Sequence, residues 1–186
     1  MDSPKSEEGR STNECQHSVS VDNFSMGKYE ITQSQWRNVM GEKSSNFIDC
    51  DDCPLEFVRW GDVQSFTNTL NEKTDVKYRL PTEIEWEYAA KGGIKTSDRA
   101  NLFASSNDLA NVAWYIGNSA SQPHTVGKKS PNELGLYDMS GNASEWCEDI
   151  YIAYPGCMAV STSGEVRTVR LSGPLMSSGQ TQNSVK

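Results

Sequence analysis

The stretch Gly135-Leu136-Tyr137-Asp138-Met139-Ser140-Gly141-Asn142-Ala143-Ser144-Glu145-Trp146 sets two carboxylates around backbone that glycine leaves able to fold back. Asp138 and Glu145 can offer carboxylate oxygens, and carbonyls between them can join in, which is how a hard cation such as Ca²⁺ is held in an oxygen cage. A tight turn carrying two exposed acids satisfies the same spacing, and the EF-hand pattern is absent. Both readings stand at the level of the residues.

Thiol chemistry has five candidates, Cys15, Cys50, Cys53, Cys147 and Cys157. An odd number in a chain long enough to bury a core argues against an obligatory disulfide framework. Cys50-Asp51-Asp52-Cys53 has the spacing of a redox pair or half a zinc site. Its two acids, however, would raise a thiol pKa by like-charge repulsion, and no second Cys/His pair is placed to complete a zinc site. A loop disulfide or two idle thiols fits better. Cys147 follows Trp146 and reads as a small hydrophobe. His17 and His124 read as hydrogen-bonding residues at strand ends, because neither has a nucleophile to converge with. Glu83, Glu85 and Glu87 could form a paired-carboxylate site, but capping and a solvated helix start account for them.

These groups need elements to position them. Val19 and Val21 alternate with polar neighbours and predict a strand over His17 to Phe24. Thr32 and Gln35 form a capping box, Trp36, Val39 and Met40 share a face, and Gly41 stands where a left-handed cap belongs, which predicts a helix. A second helix is expected from near Asp62 to Asn71 on the spacing of Val63, Phe66 and Leu70. Arg79 to Gly93 contains the clearest helix, with a Thr82/Glu85 capping box, acids in its first turn, Lys91 in its last and glycine after it. Beyond Gly93 only short pieces are expected, with extended fragments at Val112 to Ile116 and His124 to Val126. Trp36, Trp60, Trp86, Trp114 and Trp146 read as anchors of one core rather than marks of a repeat, because their flanks differ.

The chain of 186 residues has 25 acidic against 17 basic residues, a net charge of −8 that disfavours nucleic acid and anionic membrane surfaces. No apolar run approaches the roughly 18 residues of a membrane helix, and no signal-peptide pattern opens the sequence, which assigns no compartment. Every Phe, Trp and Tyr lies between Phe24 and Tyr154. The expected organisation is therefore a disordered tail over 1–16, a domain over 17–154, and a divergent or truncated C-terminal tail over 155–186.

Arg-Leu-Pro-Thr-Glu-Ile-Glu-Trp-Glu-Tyr-Ala-Ala-Lys-Gly-Gly (Arg79 to Gly93) followed by Pro-Asn-Glu-Leu-Gly-Leu-Tyr-Asp-Met-Ser-Gly-Asn-Ala-Ser-Glu-Trp (Pro131 to Trp146) resembles the formylglycine-generating enzyme, or sulfatase-modifying factor, family. Tyr29-Glu30-Ile31-Thr32, Pro54-Leu55-Glu56-Phe57-Val58-Arg59-Trp60 and Asn111-Val112-Ala113-Trp114-Tyr115 resemble further family segments in the same order. The likeness covers roughly residues 17 to 150 in several long motifs, which chance does not explain.

The resemblance implies an α+β domain, a variant of the C-type lectin fold with little regular secondary structure and bound calcium. It maps one calcium site onto Asp138, Gly141, Ala143 and Glu145, and the start of a second onto Asn111 and Val112. Family enzymes oxidise a cysteine in a Cys-x-Pro-x-Arg segment to formylglycine with oxygen and a C-terminal cysteine pair that binds copper(I), an ion suited to soft thiolates. That pair follows an Arg-Gly-Gly-Ser-Trp motif, whose nearest match here, Val169-Arg170-Leu171-Ser172-Gly173, lacks the tryptophan, and no cysteine occurs after Cys157. The expectation is a C-terminally incomplete family domain without the catalytic pair, acting as a calcium-stabilised binding or scaffold module for a protein or peptide. The alternative is a copper-dependent oxidoreductase that uses Cys147 or Cys157 instead.

Overall fold

The computed structural model describes residues 19–41, 45–47, 50–96, 101–150, 160–161 and 166–170. His17, Cys15, Cys157 and the 1–16 segment lie outside the described residues. The elements are β1 (Val19–Ser20), β2 (Phe24–Glu30), α1 (Gln33–Met40), α2 (Trp60–Lys73), β3 (Tyr78–Arg79), α3 (Glu83–Ala90), a 3₁₀ turn (Gly93–Thr96), α4 (Leu109–Val112), β4 (Val160–Ser161) and β5 (Val166–Arg170). Helices and strands coexist with long irregular stretches, an α+β arrangement.

Helices α1 and α3 start where their caps predict. Thr32 accepts from the Gln35 amide while the Gln35 side chain accepts from the Thr32 amide, and Gly41 closes α1 at φ 81°. Thr82 and Glu85 do the same for α3. Helix α2 begins two residues earlier than expected, at Trp60, because the Asp62 carboxylate turns back to accept from the Arg59 amide at 2.8 Å and fixes the first turn.

The three expected extended segments differ. The His17 to Phe24 strand appears as β1, and after a break at 21–23 the chain forms a second, longer strand, β2, which period-two alternation did not mark. Val112 ends the short α4, whose Asp108 cap accepts from the Ala110 amide, and neither 113–116 nor 124–126 forms a strand. Local capping outweighs β-branched propensity there.

A further difference concerns the C-terminal segment. Part of the span expected to be a divergent tail, Val166–Arg170, is the middle strand of a parallel sheet ordered β2-β5-β3, with Phe24 opposite Val166 and Tyr78 opposite Arg167. β1 pairs with β4 in the same parallel sense. Parallel neighbours come from distant parts of a chain, so the scarcity of aromatics after Tyr154 carries no information about this strand.

Among the described residues, two clusters fill the interior. Trp36, Leu55, Val58, Val63, Phe66 and Leu80 form one, with Trp36 stacked on Phe66 at 4.8 Å. Trp86, Ala89, Leu136 and Met139 form the other. Full burial of a side chain such as Phe66 contributes about 1.5–3 kcal/mol. Trp36 and Trp86 are buried anchors, though of two clusters rather than the one core expected, and Trp60 stays 38% exposed. The segment 145–147 joins the clusters, since Trp146 packs against the first and Cys147 against the second.

Candidate functional site

The residues that suggested an oxygen cage form a buried turn. Asp138 and Asn142 take positive φ, 58° and 80°, a conformation that Asp and Asn tolerate better than other side chains. Gly141 between them leaves no room for a side chain: a Cβ would lie 2.3 Å from the Trp114 carbonyl oxygen. That oxygen accepts from the Asn142 amide at 2.9 Å, which holds the turn against the chain segment beside it. The Asn142 side chain is bonded at both ends, accepting from the His124 amide at 2.9 Å and donating to Glu30 Oε2 at 2.8 Å and the His124 carbonyl at 3.0 Å.

Three carboxylates and one guanidinium meet here. Glu30, fully buried at the end of β2, also accepts from the Ala143 amide at 3.0 Å. Asp138 Oδ2 accepts from the Gly127 amide at 2.7 Å, while Asp138 Oδ1 is buried without a hydrogen-bond partner. Arg170, at the end of β5, is wholly buried. It donates Nε to Glu145 Oε2 at 2.9 Å, Nη2 to Glu145 Oε1 at 2.5 Å, and Nη1 to the carbonyls of Tyr137 at 2.7 Å and Lys28 at 3.3 Å. Trp86 Nε1 adds a bond to Glu145 Oε2 at 3.0 Å.

Burial pushes the Glu30 carboxyl well above the usual carboxylate range, and the nearby Glu145 charge adds to this while Arg170 opposes it. Asp138 is also raised, by burial first, against the pull of the Gly127 amide and Arg170. Burial acts against the charge of Arg170, but Glu145, with Glu30 and Asp138 beside it, more than offsets this and raises its pKa.

The residues implied as calcium ligands meet these facts unevenly. Asp138, Gly141, Ala143 and Glu145 do come together in one turn. Glu145 does not fit as a calcium ligand in this arrangement, since both its oxygens are engaged by Arg170 and Trp86 and a divalent ion would sit against a buried guanidinium. At the other position, Asn111 donates its side-chain amide to Asp108 Oδ2 at 2.9 Å, and Val112 is buried at the end of α4. Among the described residues no group of three or more His, Cys, Asp or Glu side chains is disposed to hold a metal.

Cys50 and Cys53 form a disulfide, one of the two outcomes expected of that loop. Cys147 is a free thiol pushed far upward by burial and by surrounding acids, with Glu145 the foremost, so its reactive thiolate is disfavoured. His124 stacks on Trp114 at 3.8 Å and its Nε2 lies 3.0 Å from the Ser119 carbonyl, a structural position. Glu85 caps α3 and pairs with Arg79 through bonds of 2.7 and 2.8 Å, Glu87 pairs with Lys91, and the Glu83 amide donates to Asp149 at 2.5 Å. The members that sequence reasoning missed are Glu30 and Arg170. A signal existed for both, as Glu30 lies in the Tyr-Glu-Ile-Thr motif and Arg170 supplies the arginine in the nearest match to the Arg-Gly-Gly-Ser-Trp motif.

An α+β domain with an irregular middle, pinned by a buried turn of carboxylates around one arginine, is the class these features define. Residues 1–182 match the sulfatase-modifying factor enzyme 1-like domain, and the chain belongs to that family. It is 34% identical over 179 aligned positions to "Chaperone protein LppX" of Paenibacillus barcinonensis, covering 69% of this chain and 63% of that relative. It is 30% identical over 133 positions to the formylglycine-generating enzyme of Streptomyces coelicolor, covering 64% of this chain and 39% of the enzyme. Both relatives are thus longer than the span this chain matches. Among solved structures, Treponema denticola variable protein 1 superposes with a TM-score of 0.69 at 27% identity, covering 89% of this chain and 74% of its own.

Proposed function

We propose that this chain uses the family domain, in a variant C-type lectin fold, as a binding module for a protein or peptide, and does not oxidise cysteine through Cys50, Cys53 or Cys147. The observation that carries this reading is the state of those thiols. Copper(I) chemistry calls for a pair of accessible thiolates, whereas Cys50 and Cys53 are joined to each other and Cys147 is a single, half-buried thiol whose thiolate is disfavoured. The relative named as a chaperone supports a role in contacting other proteins. Surface aromatics such as Phe57, 43% exposed, and Trp60 offer the kind of contact area that such partners use.

The test has two arms. Incubation with a Cys-x-Pro-x-Arg peptide, copper(I) and oxygen should leave the peptide mass unchanged, and formylglycine formation would overturn the reading. Light scattering from a heat-unfolded model protein should fall when the chain is added in stoichiometric amounts. Unchanged scattering would count against the binding role. Calcium, which the resemblance implies, is a separate question decided by calcium titration and thermal unfolding.

A further inference from the structure

The buried turn that the resemblance supplies with a calcium ion already contains a cation made of protein. A caged divalent ion collects carboxylate oxygens and main-chain carbonyls. The Arg170 guanidinium collects oxygens of the same kinds, sharing Glu145 with the implied calcium set and replacing the other ligands by different carbonyls: it bonds both oxygens of Glu145 and the carbonyls of Tyr137 and Lys28. Its planar fork matches a carboxylate in two parallel bonds, which a point charge does not. Neither side chain reaches solvent, with 0% exposure for Arg170 and 3% for Glu145, so neither has water as an alternative partner.

The cation is also delivered by the fold. Arg170 ends the middle strand of the β2-β5-β3 sheet, and its own carbonyl accepts from the Ile31 amide at 2.7 Å. Pairing β5 with β2 therefore brings the guanidinium to Glu145 in the same step that completes the sheet. Glu30, Asn142 and Ala143 then connect β2 to the far side of the turn.

We infer that Arg170 takes the place of calcium at Asp138–Glu145, as a built-in counter-ion that makes this turn independent of the metal. The inference concerns the internal architecture of the domain and does not rest on the binding-module reading, so the two fail separately.

The experiment is thermal unfolding and calorimetric calcium titration of the full chain, with and without a chelator. The wild-type midpoint should not move on chelation by more than about 1 °C, a shift that corresponds to well under 1 kcal/mol at this size. Arg170→Gln should lower the midpoint by about 6–20 °C, and millimolar calcium should recover part of that loss, because the vacated oxygens become available. If Arg170→Gln does not fold, the wild-type titration still decides. Calcium binding by the wild type that disappears in Glu145→Gln while Asn111→Ala retains it overturns the inference. Calcium binding that survives Glu145→Gln places the ion elsewhere and supports it.

Discussion

Arg170 Nη2 lies 2.5 Å from Glu145 Oε1, and the two side chains, from segments that the sequence divides into tail and domain, are both withdrawn from solvent. Breaking a buried pair by removing one partner leaves an uncompensated charge and costs about 3–5 kcal/mol, whereas removing both costs much less than the sum. Arg170→Met is therefore expected to destabilise the domain by that amount, and Arg170→Met with Glu145→Gln by less than the two singles added. Urea unfolding of the four proteins measures the coupling. Additive losses would mean that the two groups do not act as a pair.

What could be read in advance follows the range of the forces involved. The caps of α1 and α3 were legible because Thr32 with Gln35 and Thr82 with Glu85 close their bonds within three residues. The turn from Asp138 to Glu145 was legible as a unit for the same reason. Its chemistry was not, because the partner of Glu145 lies 25 positions on and that of Asn142 lies 112 positions back. β5 was hidden by its topology, since a parallel strand takes its register from neighbours that local patterning does not contain. The incomplete match at Val169-Arg170-Leu171-Ser172-Gly173 contained Arg170, but as part of a motif lacking its tryptophan it gave no role to the arginine.

Gly141 faces the Trp114 carbonyl, and a methyl group there would meet it at 2.3 Å. The carbonyl cannot retreat without losing its bond from the Asn142 amide. Gly141→Ala should thus cost about 1–3 kcal/mol, the usual penalty of overpacking, and should change the near-ultraviolet circular dichroism of Trp114. Gly135 sits at φ 79° with nothing within 4 Å of the position a methyl group would take, and so supplies a control in which strain acts without collision. A loss at Gly141 no larger than at Gly135 would count against the contact.

Glu85 contributes to the acid limb of the stability curve. Burial alone pushes its carboxyl up, but the paired bonds from Arg79 and the Thr82 amide prevail and hold it below the usual range. The unfolded chain then takes up this proton at a higher pH than the folded one. The stabilisation is full above the ordinary glutamate value of about 4.3 and is lost as pH falls through the lowered folded value. Glu30 and Asp138, both raised, contribute with the opposite sign, so the comparison must be between variants. Arg79→Met should cost about 1–3 kcal/mol at pH 7, and the gap from wild type should close on acidification. A gap independent of pH from 7 to about 3 would show that the ion pair is not its source.

The Cys50–Cys53 disulfide closes a loop whose carbonyls serve other parts of the chain. Cys53 and Asp51 accept from the amides of Gln33 and Ser34, each at 3.0 Å, and these are first-turn donors of α1 that have no partner within the helix. Asp52 accepts from the Val126 amide at 3.0 Å, next to Gly127, whose own amide bonds Asp138. The loop thus ties the start of α1 to the segment that supports the buried turn. In the chain-entropy account so short a loop contributes about 2 kcal/mol, and Cys50→Ser with Cys53→Ser should lose that much. The connectivity also fixes where the loss is felt: hydrogen exchange should quicken at Gln33, Ser34 and Val126 well before it does at Phe66 in the core. Uniform acceleration across all four amides would mean that the disulfide lowers global stability without organising this junction.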